Sequence, residues 1–361
     1  MGTATQNGEP GKARLGALSA LRAGGAFIAA DVGGTNARVA AVRTDADGGI
    51  ELLSWQRYPC DDYPDLAAIL ARFLADHPAH AGVDCMVIAS AGVVLGDEVI
   101  NSNLPWRISQ SGLRQRLALR ELHVVNDFEA AAHGTACLRP ADTRLLTPGL
   151  EASCEGTALV IGPGTGLGAA FRIPRGGSAT VLPTEAGMTA FAPGSERELD
   201  LLRWMWRQGN RHVCTEQLLS GPGLVNIHAA LRDSAGLPTV PMDPAAISTA
   251  ARAGDAVAHE AVRIFCALLG SVIGDLVVIG SARSVFIAGG IVPQIVDFLP
   301  QSDFRTRLIE KGAMRPVLER VPVRLIQNER LGVLGAAIWY LQYLMQDERR
   351  EFLPVSQSPL S

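Results

Sequence analysis

The six cysteines of the chain, Cys60, Cys85, Cys137, Cys154, Cys214 and Cys266, stand singly and far apart, with no CxxC pair among them. That spacing excludes a cysteine-pair metal site or a dithiol redox centre, and it points to reduced thiols in a cytoplasmic protein rather than to bridges. The seven histidines form no HExxH or other close ligand cluster. Charge of one sign is lacking too. The 32 basic and 36 acidic residues leave a net charge of -4, and no dense Lys/Arg tract appears, so the electrostatic footprint of nucleic-acid binding is missing and a small or neutral partner is expected. The most apolar region, Ile264 to Ile279, is interrupted by Gly270, Gly274 and Asp275. It reads as a buried helix too short for comfortable spanning, and no membrane association is expected. Residues 1–25 carry Lys12, Arg14 and Arg22 without an apolar run of targeting length or a cleavage pattern, and read as a flexible extension.

What is present is a globular composition, 48% hydrophobic and 19% charged, in 361 residues. A chain of that length is expected to form two domains. Ala26 to Ala30 and Val39 to Val42 read as strands joined by a glycine-containing turn, with a third strand at Ile50 to Trp55. Tyr63 to Leu74 has helical spacing, Met86 to Ala89 reads as a buried strand, Leu113 to Leu119 as a helix and His123 to Val125 as a strand. The same opening recurs. Strands at Ala158 to Ile161, Leu167 to Phe171 and Thr180 to Leu182 precede helices at Glu196 to Arg207, Leu224 to Arg232, Asp243 to Ala251 and Ala256 to Val278. Strands at Ser284 to Ala288 and Val321 to Ile326 and a helix at Gly335 to Met345 follow. An internal pseudo-repeat with a ligand cleft between its halves is the expectation.

Asp31-Val32-Gly33-Gly34-Thr35-Asn36-Ala37-Arg38 places an acid at a strand end and two glycines in the bend. Glycines expose backbone N–H groups with no Cβ in the way, as phosphate oxygens require, and Asp31 suits a magnesium ion, which prefers oxygen ligands. An ordinary hairpin turn explains the segment equally well. Gly162-Pro163-Gly164-Thr165-Gly166-Leu167-Gly168 is a second turn of the same character, and two of them opening two similar domains favour a clamp on nucleotide phosphates. Neither carries the Lys-Ser/Thr pair of a P-loop, and the second lies between strands rather than between strand and helix, against a dinucleotide fingerprint. Asn126-Asp127 ends a strand and begins a helix, where Asp127 is placed to take a proton from an attacking hydroxyl or the pair to cap the helix. Glu185 and Glu216 suit sugar hydroxyls, solvent or a helix cap.

In this order the stretches DVGGTNAR (31–38), NDF (126–128), GPGTGLG (162–168), TEAG (184–187), FAPGSERE (191–198), TEQLLSGPGLVN (215–226) and FIAGGIVP (286–293) resemble the bacterial glucokinase family of the hexokinase-type, actin-like ATPases. The resemblance runs from Phe27 to about Tyr343. It implies an α/β, two-domain actin-like ATPase (ribonuclease H-like) fold with a duplicated βββαβα-type core and an interdomain cleft. The implied division is 26–138 with 331–361 as a small domain that takes back the helix Gly335 to Met345, and 139–330 as a large one. The implied activity is transfer of the ATP γ-phosphoryl group to the 6-hydroxyl of glucose. Asp127 corresponds to the catalytic base, and Asn103, Asn126, Asp127, Glu185, Met188 and Glu216 to the sugar site. Gly33, Gly34, Thr35, Gly164, Thr165 and Gly166 correspond to the phosphate segments, Gly289 and Gly290 to the approach to adenosine, and Asp31 to the acid associated with Mg2+. A homodimer is the family-style expectation.

One departure stands out. Where family members read E-G-G-H, this chain reads Glu185-Ala186-Gly187-Met188, with a thioether that donates no hydrogen bond in place of a histidine. Such a loss costs about 1–3 kcal/mol when the partner is left unsatisfied, which opens two alternatives: another hexose or an amino sugar as acceptor, or a weakly catalytic sugar-sensing protein.

Overall fold

The computed structural model describes residues 25–45, 49–100, 104–149, 156–175 and 178–351. They divide into two compact units, one holding the chain up to Gly134 and again from Arg330, the other Thr135–Glu329.

The first unit is built on β1 (Ala26–Val32), β2 (Asn36–Thr44), β3 (Ile50–Pro59), β4 (Cys85–Ser90) and β8 (Glu121–Asn126), ordered β3-β2-β1-β4-β8. The first three run antiparallel, whereas β1, β4 and β8 are parallel. The run Phe27–Ala30 is apolar at every position because both faces of β1 are covered. Ile28 and Ala30 meet Leu66, Ile69, Leu70 and Phe73 of helix α1 (Leu66–Asp76), which Asp65 caps through a 2.8 Å bond from the Ala68 N–H. Phe27 and Ala29 meet Val333, Ala336, Ala337 and Tyr340 of the helix Leu331–Glu351. That helix also lies against α3 (Asp127–Gly134), where a Cβ on Gly335 would collide with the Ala130 carbonyl. Between β4 and α2 (Gln110–Leu117) three short strands, β5 (Val93–Leu95), β6 (Glu98–Ile100) and β7 (Ile108–Ser109), make a small antiparallel sheet. Two or three residues are too few for an alternating pattern to show, so periodicity does not signal them.

The second unit repeats the plan. Strands β10 (Ala158–Pro163), β11 (Leu167–Arg175) and β12 (Ser178–Thr184) are antiparallel, β13 (Ser284–Ile287) and β14 (Val323–Ile326) continue parallel to β10, and β9 (Thr143–Thr147) is added at the far edge. Helices α4 (Glu196–Arg207), α5 (Gly221–Ser234), α6 (Pro244–Arg252), α7 (Ala256–Gly280) and α8 (Phe304–Ile309) pack with the sheet around one core. With 25 residues, α7 has the length and composition to cross a bilayer, so length does not argue against a span as the sequence suggested. Its apolarity is instead used inside the unit: residues from Ala258 to Val277 enter the core, and Gly270 and Gly274 bring it so close to α8 that a Cβ on either would strike the Phe304 or Leu308 carbonyl.

Candidate active site

In the first unit the carboxyl ends of three parallel strands lie level: Val32 stands beside Ser90, and Ser90 beside Asn126. That register brings Asp31, the turn after β1 and the Asn126-Asp127 pair to one edge of one sheet. The turn closes with a 3.1 Å bond from the Gly33 N–H to the Asn36 carbonyl, and it leaves Thr35 exposed at its tip. Cys60, at the end of β3, fastens it: its N–H donates to the Thr35 carbonyl at 2.9 Å and its thiol to the Gly33 carbonyl at 3.3 Å. Burial pushes the Cys60 thiol up to about 11, so at neutral pH it keeps the proton it donates.

Asp31 faces Arg38 across the hairpin, with Nη1 at 3.3 Å from Oδ2. Burial pushes its carboxyl above the ordinary range, against the pull of the Arg38 charge and hydrogen bond. Gly332, at the start of the last described helix, is required here, since a Cβ would come within 2.5 Å of the Asp31 Oδ2. Among the described residues no three His, Cys, Asp or Glu side chains gather as a metal site. Asp31 offers one carboxylate at this turn, and a magnesium ion carried by a nucleotide takes one or two carboxylates beside phosphate oxygens and water.

Asn126 proves to be the cap of α3: its Oδ1 accepts from the N–H groups of Phe128 at 2.9 Å and Glu129 at 3.1 Å. Asp127 opens the helix, with Oδ1 2.9 Å from the Phe128 N–H. Asn103 lies outside the described residues.

The second unit carries the matching hairpin. The Gly164 N–H donates to the Gly166 carbonyl at 2.7 Å, and Thr165 is exposed as Thr35 is. Gly289-Gly290 follows β13, whose Ile287 pairs with Ile161, and lies against this turn's base. Gly289 has φ 86°, and a Cβ there would stand 2.7 Å from the Pro163 carbonyl oxygen. Gly164 and Gly290 are different. Neither has a left-handed φ, and a Cβ on either meets nothing within 4 Å among the described residues. Neither packing nor backbone conformation demands glycine at these two positions.

Glu185 is exposed at the start of a short turn, Ala186–Met188, and Met188 is 48% exposed. This segment is zipped to the one bearing Glu216 by bonds from the Thr215 N–H to the Thr189 carbonyl at 2.8 Å and from the Phe191 N–H to the Val213 carbonyl at 2.9 Å. Glu185, Met188 and Glu216 therefore belong to one neighbourhood, beside the second turn. His212 joins it, its Nε2 3.1 Å from the Met188 carbonyl oxygen. No sequence spacing signals Cys60, His212 or Gly332, because each acts across a strand pairing or a helix contact.

The family model for glucokinase matches residues 28–343. The chain belongs to the glucokinase family. A glucokinase-like protein of Xylella fastidiosa (strain Temecula1) is 45% identical over 320 residues, covering 87% of this chain and 94% of that protein. The glucokinase of Stenotrophomonas maltophilia (strain K279a) is 38% identical over 318 residues, covering 86% and 94%. Among solved structures, a glucokinase from an Antarctic psychrotroph superposes with a TM-score of 0.75 at 31% identity, over 88% of this chain and 99% of that one. The duplicated α/β architecture is thus the actin-like ATPase fold of sugar kinases, and this member of the glucokinase family is a hexose kinase.

Proposed function

We propose that the chain is a glucokinase, moving the γ-phosphoryl group of ATP to the 6-hydroxyl of glucose to give glucose 6-phosphate and ADP. The observation that carries this reading is the pair of matching hairpin turns, each joining two antiparallel strands with a threonine exposed at its tip, the second with open space beside Gly164 and beside Gly290 on the neighbouring segment. Phosphoryl transfer asks little covalent chemistry of a protein and much positioning. Gly33, Gly34 and Thr35 in one turn and Gly164, Thr165 and Gly166 in the other present N–H groups and a hydroxyl to phosphate oxygens. Gly289 and Gly290 leave room for the adenosine. Asp31 would hold Mg2+, which when bound offsets the negative charge of the phosphates.

Asp127 takes the proton of the sugar hydroxyl as the new P–O bond forms and the bond to ADP breaks, with Asn126 capping the helix that carries it. Asn126, Glu185 and Glu216 orient the sugar. Exposed Met188, in place of a side chain able to donate a hydrogen bond, favours a second reading, another hexose or an amino sugar as acceptor.

A coupled ADP-release assay of purified protein with ATP and a panel of sugars tests both readings, run beside Asp127→Ala. Glucose turnover falling by about 10²–10⁴-fold in the variant is expected, with nucleotide binding kept. Near-normal turnover in Asp127→Ala removes Asp127 as the base. A panel led by another sugar replaces the acceptor, and sugar binding without ADP from any of them turns the reading to a sensor.

A further inference from the structure

The second glycine turn is fastened at both ends by one downstream segment. At its exit, the Leu167 N–H donates to Oε2 of Glu216 at 2.7 Å. At its entry, the Gly164 carbonyl accepts from the Gly221 N–H at 2.8 Å, at the start of α5. The same carboxylate oxygen explains two further glycines. A Cβ on Gly166 would stand 2.5 Å from Glu216 Oε2, and one on Gly187 would stand 3.2 Å from it and 2.6 Å from the Leu167 carbonyl oxygen. Glu216 is itself held in place: the Ser220 hydroxyl donates to its carbonyl at 2.7 Å, and the Cys214 N–H donates to Gln217 Oε1 at 3.0 Å.

We infer that Glu216 is a positioning residue for the nucleotide turn as well as a sugar contact, and that it links the two sites. Oε2 accepts from the turn, and Oε1 is left to accept from the sugar. The carboxylate is wedged between Gly166 of the phosphate segment and Gly187 of the segment bearing Glu185 and Met188. A sugar that engages Glu216 therefore stiffens the turn that receives the phosphates. By linkage, sugar and nucleotide strengthen each other's binding by the same factor. The inference rests on the reading of 164–166 as a phosphate segment.

Calorimetric binding of the magnesium complex of a non-hydrolysable ATP analogue, with no sugar present, tests it in wild type, Glu216→Ala and Glu216→Gln. A residue that only binds sugar leaves this affinity untouched. The clamp instead predicts about tenfold or greater weakening in Glu216→Ala, from loss of a charge-assisted acceptor, and substantial recovery in Glu216→Gln, whose amide oxygen still accepts from Leu167. Gly166→Ala, which drives a methyl group against the carboxylate, should weaken binding similarly, and the two changes together should cost less than their sum. Unchanged sugar-free affinity in Glu216→Ala, with the defect confined to the KM for sugar, overturns the inference and leaves the kinase reading standing. A wild-type protein that phosphorylates sugar yet takes up no nucleotide alone does the same. One that does neither removes both.

Discussion

Glu121 begins β8, at the opposite end of that strand from Asn126, and ties β8 to the last described helix. Its Oε2 accepts from the Tyr340 hydroxyl at 2.7 Å, and His123 lies 3.7 Å from its Oε1. Burial pushes its carboxyl up, but the nearby His123 imidazole and the Tyr340 hydrogen bond outweigh burial and hold it below its ordinary value of 4.5. A carboxylate bound more tightly as the anion in the folded state adds stability above the unfolded value, and that stability is lost as pH falls through the folded one. Glu121→Gln should therefore destabilise by about 1–2 kcal/mol at pH 7, with the difference from wild type shrinking below pH 4.5. Urea midpoints measured across that range check it. At this scale the sequence is legible in placing Asp31 and Asp127 at strand ends, which the parallel register of β1, β4 and β8 brings to one end of the sheet. It is not legible where a role depends on a neighbour distant along the chain. Glu216 stands out by type, yet its bond to Leu167, 49 positions away, shows only once β11 and the Thr215–Gln217 turn are folded together.

Among the elements, long periodic segments are legible and short ones are not. Helix α4 coincides with the span that apolar spacing predicts, Glu196 to Arg207, since Ser195 caps its start through a 3.2 Å bond from the Glu198 N–H. The helix predicted over Gly335 to Met345 instead begins at Leu331. Gly335 is the point at which α3 lies against it. Gly335→Ala gains helix propensity and should nonetheless destabilise by about 1–3 kcal/mol, because the added methyl meets the Ala130 carbonyl, part of the backbone that follows Asp127. Chemical denaturation measures the loss, and activity should decline with it if α3 shifts. Strand β9 joins the far edge of the second sheet beside β14, a pairing that only topology reveals.

For the whole molecule, the repeat of strand, glycine turn, strand was readable because both copies keep the same order of elements. Burial is what the repeat brings about. Cys60, Cys85, Cys214 and Cys266 are free and buried, and Cys137 is free and exposed. Cys154 lies outside the described residues. In a Cys154→Ser background one thiol should react rapidly with a disulfide reagent in the native protein and five after unfolding. Colorimetric thiol titration counts them, and two or more fast thiols would show that a core opens without denaturant.

Helix α7 has a consequence for how the chain comes into being. It emerges from the ribosome before α8, whose carbonyls cover Gly270 and Gly274. At about 5–20 residues per second, about 1–6 seconds of synthesis separate the end of α7 from the arrival of Leu308. During that interval the nascent chain displays an apolar segment of bilayer-spanning length whose α8 cover has not yet been made. Holding such a segment until its cover arrives is work for a chaperone, and the yield of this protein should depend on how quickly residues 281–308 are translated.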